Sequence, residues 1–153
     1  MAVTTPAAFD PVPRRLGSTG NFLVTAAVLE GQVVAFHGTG VDWSVGPAST
    51  TGAYTGAPLG VALYTQAIVG GKVAGAMFGS VVKVCNATAS TILAGVQVQP
   101  GLTASAGCVT PLLTPNAGGA DGWLLGTMLT KATANDYGYC LITGPKKVWK
   151  GAA

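Results

Sequence analysis

The sequence predicts an all-β domain built as a barrel or a sandwich. Short apolar runs are separated by glycine-containing turns, and no apolar 3.6-residue period is sustained between helix caps. The chain also carries 23 glycines and 9 prolines in 153 residues. Such a pattern is typical of short strands joined by tight turns. A chain of this length favours one domain, large enough to bury a core.

The strands follow one another between clear turn signals. The prolines of residues 1–20 favour an extended lead that stays outside any sheet interior. Glu30-Gly31, Gly70-Gly71 and Pro100-Gly101 are the main turn signals. Residues 41–56 read as a loop, and residues 100–122 form a long, weakly patterned section. The predicted strands are residues 22–29, 32–37, 58–63, one or two strands within 72–84, and then 96–99, 123–129 and 137–143.

Residues 72–84 are apolar on both faces of the predicted strand. A half-buried strand alternates apolar and polar side chains more cleanly. Two interpretations are open: the strand is central and covered on both faces, or its outer face is a subunit interface. On the second interpretation we predict that Met77, Phe78 and Val81 contact another copy of the chain.

The low charge of the chain indicates a structural subunit. Only 8% of the residues are charged and 49% are hydrophobic, whereas ordinary soluble domains carry about 25% charged residues. Contact with copies of itself or with a larger assembly would cover the apolar surface. We therefore predict a homo-oligomer, most simply a trimer.

The basic residues lie near the two ends of the chain. The net charge is only +3, and it forms no basic stripe of the kind that nucleic-acid binding needs. Arg14 and Arg15 stand near one end, and Lys146, Lys147 and Lys150 near the other. Two interpretations stay open: they solubilise exposed tails, or they contact an acidic neighbour in an assembly.

The sequence shows no constellation of catalytic residues. His37 is the single histidine and follows an apolar strand. A phosphate-binding loop is excluded, because Gln66 replaces its first glycine and Val73 its Ser or Thr. We predict no enzyme, no catalytic residue and no cofactor. The acidic residues all flank turn-like segments and form no acid–base pair: Asp10, Glu30, Asp42, Asp121 and Asp136.

The three cysteines do not predict a metal site. Cys85, Cys108 and Cys140 have no C-x-x-C spacing. A tetrahedral zinc site needs four ligands, and His37 is the only other soft candidate. Cys85 and Cys140 lie in strand-like runs, so we predict that they are buried free thiols.

Neither a signal peptide nor a membrane span is expected. The N-terminal residues lack the apolar core of a signal peptide. Residues 60–84 are apolar and contain Gly71, Gly75 and Gly79 at the spacing of a transmembrane dimer motif. Lys72 stands in the middle of that stretch, where it costs about 2.5–3.5 kcal/mol on insertion scales.

Several short motifs, taken in order over residues 24–143, resemble the small capsid decoration or cement proteins of tailed bacteriophages. Val96 stands where that family carries an acidic residue. The motifs that carry the resemblance are residues 29–34 (LEGQVV), 57–62 (APLGVA), 70–73 (GGKV), 79–84 (GSVVKV), 93–98 (LAGVQV) and 124–129 (LLGTML).

The resemblance implies a small β-barrel or β-tulip-like domain that binds the outside of an expanded icosahedral shell, often as a trimer. It implies that the protein stabilises the shell against the pressure of packaged DNA. Its partners would be the major capsid protein and copies of itself, with no direct nucleic acid and no membrane. It would be made in the host cytoplasm and reside on the outer capsid surface. The alternatives are another structural β-subunit, such as a minor capsid, tail-tube or fibre-base protein, and a small-ligand-binding barrel or enzyme.

We therefore expect an extended arm over residues 1–20, a β-barrel decoration domain over residues 21–145 and a basic tail over residues 146–153. The arm is expected to be mobile in the free protein and ordered on the shell. The residues predicted to contact the capsid are Val3, Phe9, Val12, Arg14, Arg15 and Leu16.

Overall fold

The computed structural model describes residues 16–37, 44–49, 54, 57–101, 106–112 and 122–149. These residues form strands and turns, without a helix in the described part of the chain. The prediction of an all-β barrel fold is confirmed. The strands are β1 (Thr19–Val24), β2 (Val33–Phe36), β3 (Ser44–Pro47), β4 (Pro58–Ala62), β5 (Lys72–Ala76), β6 (Val81–Asn86), β7 (Gln97–Pro100), β8 (Val109–Pro111), β9 (Gly122–Met128) and β10 (Asp136–Trp149).

The strands form two closed barrels where the sequence suggested one. The first barrel has the order β1-β3-β2-β4-β5, and the second has the order β6-β8-β7-β9-β10. In each barrel the first strand closes against the last, in antiparallel pairing. In each, the first and third strands pair in parallel, and the remaining pairs are antiparallel. The second barrel therefore repeats the topology of the first.

The repeat extends to individual hydrogen bonds. Gly31 N–H donates to the Ala62 carbonyl at 2.9 Å, and Gly95 N–H donates to the Met128 carbonyl at 2.7 Å. An isolated bridge in each barrel joins equivalent positions, Val28 with Gln66 and Ile92 with Ala132. Because the register agrees strand by strand, the paired positions of one barrel have defined counterparts in the other.

Glycines at equivalent positions explain part of this register. Gly31 and Gly95 have φ values of 81° and 85°, which side-chain-bearing residues rarely adopt. Gly60 and Gly126 have no room for a side chain, because an added Cβ would strike the carbonyl oxygen of Ala76 or Leu141 on the neighbouring strand. Both barrels thus need glycine at the turn before their second strand and on their fourth strand.

The hydrophobic core runs through both barrels. One cluster fills the first barrel and includes Phe22, Val24 and Val73. A second cluster fills the second barrel and continues onto the first. It joins Val33, Val61 and Ala76 of the first barrel to residues such as Leu125 and Met128 of the second. The junction between the barrels is therefore dry and apolar at its centre.

This junction explains why residues 72–84 are apolar on both faces. The segment is two strands, β5 and β6, which belong to different barrels. Ala76 on β5 and Val82 and Val84 on β6 all lie in the cluster that spans the junction. Contacts within the same chain thus cover these three side chains, whereas Phe78, between the two strands, stays exposed.

The chain crosses from β5 to β6 at one end of the molecule, called here the crossover end. Met77 N–H donates to the Ser18 carbonyl at 2.8 Å, and Ile142 N–H donates to the Ser80 carbonyl at 2.9 Å. Thus β1 and β6 both start at the crossover end, and β5 and β10 both return to it. The turns at Gly31 and Gly95 lie at the opposite end of their barrels.

Several expected boundaries differ from the structure. β3 lies in the predicted loop at 41–56, and β8 lies in the weakly patterned section at 100–122. β1 begins at Thr19, inside the predicted arm, and β10 runs to Trp149, across the expected division at 145 and 146. The rest of the arm, residues 1–15, and of the basic tail, residues 150–153, lies outside the described residues.

Candidate functional site

The two barrels are fastened to each other by backbone hydrogen bonds. Val33 N–H donates to the Gly107 carbonyl at 2.6 Å, and Gly107 N–H donates to the Ala48 carbonyl at 2.7 Å. Cys85 N–H donates to the Gly31 carbonyl at 3.2 Å. These bonds join the start of β2 and the end of β3 in the first barrel to β6 and the segment before β8 in the second, so the junction is held by backbone as well as by side chains.

Charged and aromatic groups cover one side of the junction. The Lys83 ammonium lies 3.5 Å from the Glu30 carboxylate, and both side chains are partly exposed. The same ammonium lies 4.7 Å from the centre of the Tyr137 ring. An exposed pair of this kind contributes little stability, but it fixes the turn at Gly31 against the second barrel.

A disulfide joins Cys85 on β6 to Cys108 just before β8, with the two Cα atoms 4.8 Å apart. The prediction of a buried free thiol is wrong for Cys85, because the parallel pairing of β6 and β8 brings Cys108 beside it. Cys140 is a buried free thiol, as predicted. Burial raises the pKa of the Cys140 thiol from 9.0 to about 12, so it stays protonated and unreactive near neutral pH.

Two shallow cavities lie along the junction. One, of about 150 Å³, is lined by residues that include Glu30, Leu63 and Tyr139. The other, of about 210 Å³, is lined by residues that include Gln32, the disulfide and Asp136. Within the described ranges, no group of three or more histidine, cysteine or acidic residues could hold a metal.

The predicted oligomer residues do not share one surface. Val81 is only 8% exposed and belongs to the protein's own core. Met77 packs against the core of the first barrel. Phe78 is 64% exposed, so it alone of the three presents a large surface to a partner.

Of the predicted capsid-contact residues, the structure describes Leu16. Its side chain is 49% exposed, and it lies at the crossover end, since Ser18 N–H donates to the Phe78 carbonyl at 3.1 Å. The other five lie outside the described residues: Val3, Phe9, Val12, Arg14 and Arg15.

β9 and β10 continue beyond the second barrel as a two-stranded ribbon. Lys146 pairs with Leu124, Lys147 pairs with Trp123, and Trp149 pairs with Gly122, after an irregularity that follows Ile142. The Lys147 ammonium lies 5.5 Å from the centre of the Trp123 ring. The first barrel has no such extension among its described residues, because β5 ends at Ala76 and the chain crosses over. The sequence pattern ended this strand at Thr143 and did not find the ribbon.

The repeat itself was the signal that sequence reasoning missed. Leu29-Glu30-Gly31 and Leu93-Ala94-Gly95 occupy equivalent turns. Leu59-Gly60 and Leu125-Gly126 occupy equivalent strands. The order of these motifs in the first barrel recurs in the second, and this recurrence indicates the repeat.

The fold defines a class of protein: a tandem pair of small five-stranded β-barrels. No helix in the described part of the chain is long and apolar enough to cross a membrane.

One solved structure with a similar fold is the N base of head fiber gp8.5 of bacteriophage phi29. The two structures superpose with a TM-score of 0.55 at 17% sequence identity, over 86% of this chain and 98% of that chain. The likeness shows a common fold across nearly all of that base. No protein-family model matches this chain, and no curated protein matches it in sequence.

Proposed function

We propose that this chain is a structural protein of a bacteriophage virion that binds the outer surface of the expanded head and stabilises it. The observation that carries the proposal is the fold shared with 98% of the head fiber base. The motifs that resemble capsid decoration proteins support the same location on the particle.

The architecture suits such a role. Closed barrels leave no long open sheet edge that could recruit unwanted strands. The continuous core and the hydrogen-bonded junction give one stiff body, which can bridge neighbouring shell subunits without deforming. A bridge of this kind stabilises a shell because it binds only the assembled state.

A second candidate is the base of a head fibre. It is favoured by the comparison itself, because the similar structure is the N base of a fiber protein. The two candidates share attachment to the head and differ in what the protein does there. A decoration protein raises the stability of the shell, whereas a fibre base carries a further structure outward.

Expanded heads from which this protein has been removed test the proposal directly. The purified chain is mixed with heads and sedimented, and the DNA released on heating is followed with and without the chain. We expect saturable binding and release at a higher temperature. Binding without any thermal protection would favour the fibre base, and no binding at any concentration would contradict both candidates.

The trimer and the arm contacts stay predictions. Sedimentation analysis of the free chain tests the homotrimer, and a strictly monomeric chain both in solution and on heads would contradict it.

Deletion of residues 2–16 tests the arm. We expect weaker coating of heads, because the arm would add an extended segment or fill shallow grooves of the capsid; unchanged affinity and unchanged thermal protection would remove it from the interface.

A further inference from the structure

We propose that the crossover end is the face that binds the head, and that its partner there is an acidic protein surface with an apolar recess. The inference rests on the proposed function and specifies which face of the chain performs it. It uses three features that meet at this end: the two termini of the described chain, the distribution of charge, and an exposed aromatic side chain.

The structure brings the first described residues and the lysine-bearing ribbon to the same end. Gly17 N–H donates to the Ser80 hydroxyl at 2.9 Å, and Gly79 N–H donates to the Ile142 carbonyl at 2.9 Å. The first described residues and the start of the ribbon therefore both flank the crossover. Arg14 and Arg15 are the residues before Leu16 in the sequence, and the ribbon carries Lys146 and Lys147.

The charge of the described residues is unequal between the two ends. Both described acids, Glu30 and Asp136, lie away from the crossover end, and Lys72, Lys83 and Lys131 accompany them. Lys83 forms an ion pair with Glu30 there. At the crossover end the described charges are the ribbon lysines, Lys146 and Lys147, and no described acid lies beside them. Complementarity then calls for an acidic partner.

Phe78 supplies an apolar anchor at the crossover end. It stands in the crossover between β5 and β6, where Gly79, with φ of 80°, makes the turn. The turn does not need a phenylalanine, and yet the ring is largely exposed. Aromatic side chains are typical of the energetic centres of interfaces.

The ribbon gives a second reason to expect a partner at this end. Lys146, Lys147 and Val148 are all exposed although they follow one another along a strand, so this part of β10 meets solvent on both faces, whereas Leu124 on the paired strand is buried. An isolated two-stranded ribbon is marginally stable in water. A surface that covers one face would stabilise it. A second copy is a poorer partner, because a symmetric contact would place lysine against lysine.

Matched substitutions at the two ends test the inference. Phe78→Ser and Lys146→Glu alter the crossover end, and Ile68→Ser and Lys131→Glu make the same changes at exposed positions of the opposite end. Each variant is first checked for an unchanged melting temperature. We expect each crossover-end variant to bind heads at least about tenfold more weakly, and each opposite-end variant to bind as wild type does.

Salt and self-association separate the remaining outcomes. Binding of the wild-type chain should weaken as NaCl is raised from about 50 to 500 mM, and that dependence should be smaller for Lys146→Glu. Equal losses from both ends, or larger losses from the opposite end, would overturn the inference and leave head binding intact. A Phe78→Ser variant that changes only the oligomeric state would overturn it in favour of a self-interface. Wild-type chain that fails to bind heads would remove the proposed function and this inference together.

Discussion

The first and second barrels share a topology and fill it with different side chains. In the first, the Phe22 ring occupies the space beside two glycines: a Cβ added at Gly20 would lie 2.8 Å from its Cζ, and one added at Gly75 3.0 Å from its Cε2. The strand register makes Val84, Val82 and Cys140 the counterparts of Phe22, Gly20 and Gly75. In the first barrel the Phe22 side chain thus fills the space that corresponds to three smaller side chains in the second barrel.

The barrels also differ in how their parallel strands are held. Leu23 on β1 faces Ser44 on β3, and the equivalent positions in the second barrel are the disulfide-bonded Cys85 and Cys108. The difference teaches that register and turns define this fold, whereas the means of filling and fastening it can vary.

The largest expected loss of stability distinguishes the two ways in which the barrels fill their cores. Phe22→Ala should lower the free energy of unfolding by about 4 kcal/mol, because it leaves a cavity beside two glycines. Val84→Ala should lower it by about 2 kcal/mol, since fewer methyl groups are lost and the neighbours have side chains. Urea denaturation of both variants measures the difference, and equal losses would mean that the two cores are not packed as described.

Introducing the core side chains of the second barrel into the first sharpens this test. The variant Phe22→Val alone should be destabilised, and adding Gly20→Val and Gly75→Cys should restore part of the loss. The two added side chains would occupy the space that the ring vacates. If the triple variant is less stable than Phe22→Val, the register-based correspondence between the barrels does not extend to packing.

The fourth-strand glycines should be equally intolerant of a side chain. Gly60→Ala and Gly126→Ala would each press a Cβ against a backbone carbonyl oxygen of the next strand, of Ala76 and Leu141 respectively. We expect a loss of about 3 kcal/mol for each, at the upper end for overpacking. Gly70→Ala, where nothing lies within 4 Å of the added Cβ, is a control that should cost less, mainly through its φ of 88°. A harmless change at Gly60 or Gly126 would contradict the close approach.

The disulfide should stabilise the second barrel alone. Replacing Cys85 and Cys108 by serine opens a loop with a sequence separation of 23, for which chain entropy predicts a loss of about 3 kcal/mol, often less in practice. Dithiothreitol should lower the melting temperature of wild type towards that of the double variant and leave the variant unchanged. An identical melting temperature for oxidised and reduced wild type would show that the bond adds nothing to stability.

The smallest effect concerns Cys140, whose counterpart Gly75 cannot titrate. Because burial holds the folded pKa at about 12 against 9.0, the unfolded chain loses its proton first. The stability that the neutral thiol contributes is therefore present below pH 9 and is lost as pH rises towards 12. The stability of the Cys140→Ala variant should decline less over that pH range.

At pH 8 a thiol reagent should react with one thiol per chain in unreduced, unfolded protein, and with none in the native state.

Much of the fold could be predicted from the sequence, because most strands are bounded by Gly and Pro turns and are rich in valine. The missed strands, β3 and β8, are counterparts of each other. Each is short, contains proline, and pairs in parallel with a strand that is not its neighbour in sequence, as well as with the strand just before it. Local patterning cannot report such pairing, and for the same reason it did not find the disulfide.

The candidate binding face could be predicted only in part. We predicted Phe78 as a contact residue together with Met77 and Val81, but Val81 belongs to the core and lies on a strand of the second barrel, which the interpretation of a single barrel did not include. The basic segments at the two ends of the sequence were candidate contacts. That the first described residues and the ribbon meet at one end of the molecule depends on the crossover of the chain, which composition and spacing do not reveal.

The crossover from β5 to β6 also bears on how the chain reaches its native state. Because each barrel uses one continuous stretch of sequence, the first can close while the ribosome is still making the second. Closure still joins β1 to β5, which are far apart in the chain, and such distant pairing is slow. Until the second barrel arrives, Val33, Val61 and Ala76 lack the cover that it gives them. Synthesis would thus pass through a partly folded intermediate with an exposed apolar surface. The lifetime of that intermediate would be set by the speed of translation.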